Sequence, residues 1–183
     1  MKGIIFDVAA DVVRADYGDD TWDDLLDAVG SDGVYTALGS YPDADLVAII
    51  EAAAARLGVS GATATVMVGR QGYQILASRY PRLVADIPDL RTVLASLNTI
   101  IHPEVLKLYP DATPPTFLLR SDGSDLLMTY VSERSLCRLA EGLTLGAADA
   151  FGERVSVTHD SCRADGDAGC VLRVHWSDGD DPR

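Results

Sequence analysis

The chain is poor in the residues that carry most enzyme chemistry. Three histidines and three cysteines in 183 residues are too few for most acid–base schemes. It contains no G-x-S-x-G, no H-E-x-x-H, and no Gly-Lys-Ser/Thr after the GVSG of residues 58–61, which excludes the commonest hydrolase, zinc-peptidase and phosphate-loop signatures. Positive charge is also scarce. Fifteen Lys and Arg against 28 Asp and Glu leave a formal charge of −13 and a pI near 4.4, so a nucleic acid backbone or an anionic membrane surface would be repelled and neither is expected as a partner. No apolar run reaches the roughly 18 residues of a transmembrane helix, and Asp7 and Asp11 interrupt what would be the apolar core of a signal peptide. A cytoplasmic location is therefore expected. The aspartate runs DYGDDTWDD and DGDDPR lack the twelve-residue calcium loop with its terminal Glu and read as solvated loops and caps.

What is there points to an ordinary globular domain. Hydrophobic side chains make up 48% and charged ones 23%, enough for a core that can enclose a sizeable ligand. Up to residue 110 the pattern is helical: residues 2–17 ending at Gly18, a short helix around Trp22, Leu25 and Leu26 closed by Gly30, a third from Asp43 to Gly58, a fourth from Thr63 to Tyr80, and a fifth from near Asp89 to Pro110. The period then changes. TFLLRSDGSDLLMTYVS reads as a hairpin about Ser121–Ser124, Ser135–Phe151 as a helix, and RVSVTH and CVLRVHW as strands. The expected architecture is α+β: one domain over residues 1–176, helical to about 110 and sheet-containing from 111, with a polar tail at 177–183.

Three constellations could carry function. His102 is flanked by Ile100, Ile101, Val105 and Leu106. It is either a core histidine bonded to a carbonyl or a single neutral imidazole on the iron of a porphyrin, which needs one His and an apolar pocket. In YVSER, a strand extended through Arg134 would put Tyr130, Ser132 and Arg134 on one face, two hydroxyls and a guanidinium suited to carboxylates; otherwise it is a half-exposed strand end. Cys137, His159, Cys162 and Cys170 supply a Cys3His set, with H-x-x-C spacing suited to zinc, or else three small buried hydrophobes and a surface histidine. His175 has no evident partner and reads as structural.

The segments MKGIIF, YGDDTWDDLLDAVG, IIHPEVLKLYP, ATPPTF, YVSERS and LAEGLTLGA, in this order over nearly the whole chain, resemble the haem nitric oxide/oxygen binding family, H-NOX, related to the haem sensor domain of soluble guanylate cyclase. The resemblance implies haem b lying between the two parts of the chain. His102 would then be the proximal iron ligand, Tyr130, Ser132 and Arg134 would hold the propionates, and Pro115 would press on the porphyrin plane. Oxygen-binding members carry a tyrosine five residues after the arginine; here that position is Leu139. An apolar distal wall of Ile5, Leu139 and Leu143, with Ala9 and Leu76 as weaker members, implies a sensor that binds NO and CO and excludes O2, unless Tyr73 or Gln74 turns inward as a donor. Some members carry the same Cys, His, Cys, Cys order as a zinc site. The family also implies a separate effector, such as a histidine kinase or a cyclic dinucleotide enzyme, and no catalytic activity of its own.

The last third of the chain, LAEGLTLGAADAFGERVSVTHDSCRADGDAGCVLRV, also resembles small-molecule binding domains of the vinyl reductase type. That leaves a second reading, a haem-free, zinc-bearing ligand or redox sensor.

Overall fold

A computed structural model describes residues 1–177; of the polar tail, residues 178–183 lie outside the described residues. Seven α-helices and four strands follow one another as α1 (Gly3–Tyr17), α2 (Asp19–Val29), α3 (Asp43–Leu57), α4 (Gly61–Arg79), α5 (Leu90–Ser96), α6 (His102–Leu108), β1 (Thr116–Asp122), β2 (Asp125–Val131), α7 (Cys137–Phe151), β3 (Val155–Ser161) and β4 (Cys170–Trp176). The sheet is antiparallel throughout, in the order β1-β2-β4-β3. The α+β expectation holds. Its helix boundaries follow the punctuation read from the sequence, because Gly30, Gly58 and Gly152 take left-handed conformations that close α2, α3 and α7, and Ser60 caps α4 by accepting from the Thr63 N–H at 3.0 Å.

Three details differ from the sequence reading. The fifth helix is not continuous: between α5 and α6 the backbone forms a π turn over Leu97–Ile101. Pro103, second in α6, has no N–H to give the preceding turn, and Thr99, Ile100 and Ile101 are β-branched, so the α ladder is weakest there. Strand β2 stops at Val131, opposite Thr116, the first residue of β1. Beyond that pair the neighbouring chain is Pro114–Pro115, which has no N–H to offer a ladder, so Ser132 and Arg134 lie in the connection to α7. The change from helix to strand falls between Leu108 and Thr116, close to the expected residue 110, but Leu90 and Leu94 of α5 already pack into the sheet-side core, which the periodicity did not show.

Two separate cores result. Phe6, Ala9, Trp22, Leu25, Leu46, Ile49 and Val68 centre the first, made by α1–α4; Met128, Tyr130, Leu172, Val174 and the buried face of α7 centre the second. The lobes meet along α4 and α7. A Cβ on Gly69 would stand 2.7 Å from the Leu139 carbonyl oxygen, and one on Gly142 would stand 2.3 Å from that of Val66. Only glycine lets these helices touch backbone to backbone.

Candidate functional site

His102 opens α6 immediately after the π turn, a helical irregularity that frequently accompanies functional sites. Its ring lies 6.1 Å from that of Phe117, tilted by 35°. Burial pushes the imidazole below its ordinary pKa, and a hydrogen-bonding interaction with the Pro115 backbone pulls the other way. A neutral imidazole keeps a lone pair on one nitrogen, which is the state a metal-ligating histidine needs.

The Tyr130-Ser132-Arg134 group is brought together by a turn rather than by strand alternation. Ser132 Oγ accepts the Arg134 N–H at 3.1 Å. Burial raises the Tyr130 phenol, so the hydroxyl stays neutral at ordinary pH. Arg134 donates from Nε to Asp43 Oδ2 at 2.6 Å and from Nη1 to the Thr113 carbonyl at 2.8 Å. Its Nη2 end is left for a carboxylate. Asp43 also pairs with the Met1 ammonium at 2.6 Å. Burial would raise its carboxyl, but bonds from Met1 and Arg134 outweigh that and hold it below the usual range. Asp43, read from sequence only as a helix opener, therefore ties the first lobe to the candidate carboxylate-binding arginine. Charge alternation could not have revealed it, because the partners are 91 residues apart.

On α4 and α7, where the lobes meet, some apolar side chains join neither core. Leu76, Leu139 and Leu143 are half-buried and belong to neither cluster. Leu139 and Leu143 share a face of α7 one turn apart, distinct from the Cys137, Ala140, Thr144 and Ala147 face that enters the sheet-side core. Half-buried Ile5 packs on the rim of the first core, and Ala9 is only 1% exposed within it. Of the two side chains that could have supplied a polar donor, Gln74 gives its amide to the Gly146 carbonyl at 3.2 Å. Tyr73 packs against the sheet-side core, where burial raises its phenol.

The cysteines form a second, closed site. Cys137, Cys162 and Cys170 are buried with their sulfurs all within 4.8 Å of one another, and the Cys137 and Cys162 sulfurs are 3.6 Å apart. Burial and the neighbouring sulfurs push the Cys137 thiol well up. His159 does not complete a fourfold set here. Its Nε2 is engaged by Glu141 at 2.9 Å, and its buried Nδ1 has no partner. The geometric group is three cysteines, because the Glu141 carboxylate one turn beyond Cys137 captures the imidazole first. His175, for which the sequence offered no partner, is exposed on the interior strand β4 and pairs with Asp125 at 2.7 Å.

The fold that carries these residues is that of haem-binding sensors. The family model for haem-NO-binding domains matches residues 2–159, and the chain belongs to this H-NOX family, whose members are haem-based gas sensors. The fold is similar to that of a Shewanella oneidensis H-NOX protein, in a crystal structure of its Fe(II)NO ligation state, at TM-score 0.90 and 32% identity over 97% of this chain and 100% of that one. An NMR structure of the SO2144 H-NOX domain from the same organism in the Fe(II)CO state gives 0.87 and 32% over 97% and 99%. The Fe(II) unliganded H-NOX protein from K. algicida gives 0.84 and 27% over the full length of both chains. No curated protein matches. Among the described residues no single helix is long and apolar enough to cross a membrane.

Proposed function

We propose that this chain is a haem b sensor that binds NO and CO, excludes O2, and reports to a separate effector protein such as a histidine kinase or a cyclic dinucleotide enzyme. The observation that carries this reading is His102, a half-buried imidazole at the start of α6, directly after the π turn and against the Phe117 ring. The haem would supply an open coordination position for a diatomic ligand. Around it, His102 would hold the iron, Tyr130, Ser132 and the Nη2 end of Arg134 would take the propionates, and Pro115 would bear on the ring. Ile5, Leu139 and Leu143 would line the distal side. None of the three can donate a hydrogen bond, and a polar dioxygen complex depends on such a donor far more than NO or CO does. His102 sits where α6 leaves the π turn, so any change in the bond it makes is delivered at the hinge of that helix. Gas can shift the two conformations only by as much as its affinity differs between them.

The three buried sulfurs support a second function for the same chain. Cys137, Cys162 and Cys170 would hold zinc, with His159 as fourth ligand once its imidazole turns from Glu141; its unpartnered Nδ1 favours that role. A reducing compartment, the cytoplasm, would keep the thiols available.

The deciding experiment is the absorption spectrum of the anaerobically reduced protein, before and after NO, and separately after air. A five-coordinate ferrous haem that responds to NO and forms no stable oxygen complex supports the reading. A stable oxygen complex would mean that a donor such as Tyr73 reaches the ligand. A colourless protein that retains zinc would return the chain to the haem-free reading of its last third.

A further inference from the structure

The open edge of the sheet is not left bare where it passes His102. Strand β1 has a neighbour on one side only, and at Phe117 its free edge is occupied by a side chain: Asn98 Nδ2 donates to the Phe117 carbonyl at 2.6 Å, and the Phe117 N–H donates to Asn98 Oδ1 at 3.1 Å. One amide thus pairs with both backbone groups of a residue, as a neighbouring strand would. Asn98 is the second residue of the π turn, four before His102. Phe117 is two residues after Pro115, and its ring touches both His102, at 6.1 Å between centroids, and Tyr130, at 5.7 Å edge to face.

We infer that Asn98 is a positioning residue for His102: by clasping Phe117 it fixes the π turn on the sheet, so that the imidazole keeps its place against the Phe117 ring. The segment 97–101 has no buried side chain of its own, and its β-branched residues favour no helical register. Leu97 packs half-buried against the sheet-side core, and the clasp is the polar tie from this segment to β1. Because Asn98 is itself exposed, replacing it opens no cavity in either core. The part of the inference that concerns iron rests on the haem reading above; the part that concerns the clasp does not.

Both parts can be read on one set of variants of the full chain. In Asn98→Leu, hydrogen exchange at the Phe117 amide should accelerate at least tenfold while amides in β4 stay protected. In the haem-free protein the ring nitrogen signals of His102 should shift as its packing against Phe117 loosens. In the ferrous haem-loaded protein the iron–histidine stretching band should shift or split. Asn98→Asp keeps the acceptor for the Phe117 N–H and loses the donor to its carbonyl. It should fall between the wild type and Asn98→Leu on each readout, and it carries the test if the leucine variant does not fold. Unchanged exchange at Phe117 overturns the clasp. Faster exchange with unmoved His102 ring signals and an unmoved iron–histidine band reduces Asn98 to an edge cover and overturns the positioning role. Should the wild type take up no haem, the sensor reading fails by itself, and the exchange and ring-nitrogen measurements still decide the inference.

Discussion

The seam between the lobes and the cysteine cluster answer opposite demands. In the seam, groups are left with capacity to spare: His102 half-buried at the start of α6, Arg134 with its Nη2 end available, Leu76, Leu139 and Leu143 half-buried and outside both cores. In the cluster three sulfurs are sealed within one lobe, braced by the Cys162 N–H to Asp167 at 2.8 Å and the Arg163 N–H to the Cys170 sulfur at 3.4 Å. A site that must take part in a conformational change belongs where two packed units meet, because packed cores are bistable rather than deformable. A site that holds one lobe together belongs inside it. The contrast predicts that damage to the seam costs ligand binding more than stability, and damage to the cluster the reverse.

The sharpest way to break the contrast is at His102. The His102→Ala protein should lose haem on gel filtration, should recover it in excess imidazole, and should melt close to the wild-type apoprotein. Full haem retention without imidazole would remove His102 from the iron. At the cluster, treatment with a chelator should leave haem content unchanged and lower the melting temperature. If free zinc stands near a thousand times its dissociation constant, metal removal costs about 4 kcal/mol, or about 10 °C for a chain of this size. A melting point indifferent to chelation would mean that the sulfurs are core rather than ligands.

Most of the fold was legible because it is written in local terms. The glycines that end α2, α3 and α7, the apolar spacing of α7 and the Asp122–Asp125 turn are all encoded within a few residues of where they act. His102, Pro115 and the YVSER segment could likewise be picked out by residue type and order. What was not legible is set by distant partners. The π turn depends on Asn98 finding Phe117 19 residues away, and the end of β2 depends on Pro114 and Pro115 across the sheet. Asp43 acquires its role only when folding brings Arg134 to it. For His159 the sequence suggested the cysteines or a surface position, and the Glu141 partner, 18 residues away, was not legible.

The distal wall gives a finer test. Leu139→Tyr should add a stable oxygen complex, since a hydrogen bond to a charged or strongly polar partner contributes about 1.5–3 kcal/mol, about ten- to a hundredfold in affinity. The NO response should change little. An unaltered response to air would show that the face bearing Leu139 and Leu143 does not look onto the ligand.

The smallest effect is expected where the lobes are joined by charge. Arg70 on α4 grips Asp149 on α7 through Nε at 2.6 Å and Nη2 at 2.7 Å, and its hydrogen bonds hold the Asp149 carboxyl below the usual range. The folded protein thus gives up this proton more readily than the unfolded chain. The pair contributes its full stability above the unfolded pKa of about 3.9, and loses it as pH falls through the lower folded value. Both side chains are roughly half exposed, at 52% and 43%, so water screens the pair and it contributes about 0.5 kcal/mol or less. Urea melts of Asp149→Asn between neutral pH and pH 3 should show a slightly lower plateau and a shallower acid limb, with haem binding untouched. A loss of several kcal/mol at neutral pH would mean that this ion pair, rather than the backbone contact through Gly69 and Gly142, holds α4 against α7.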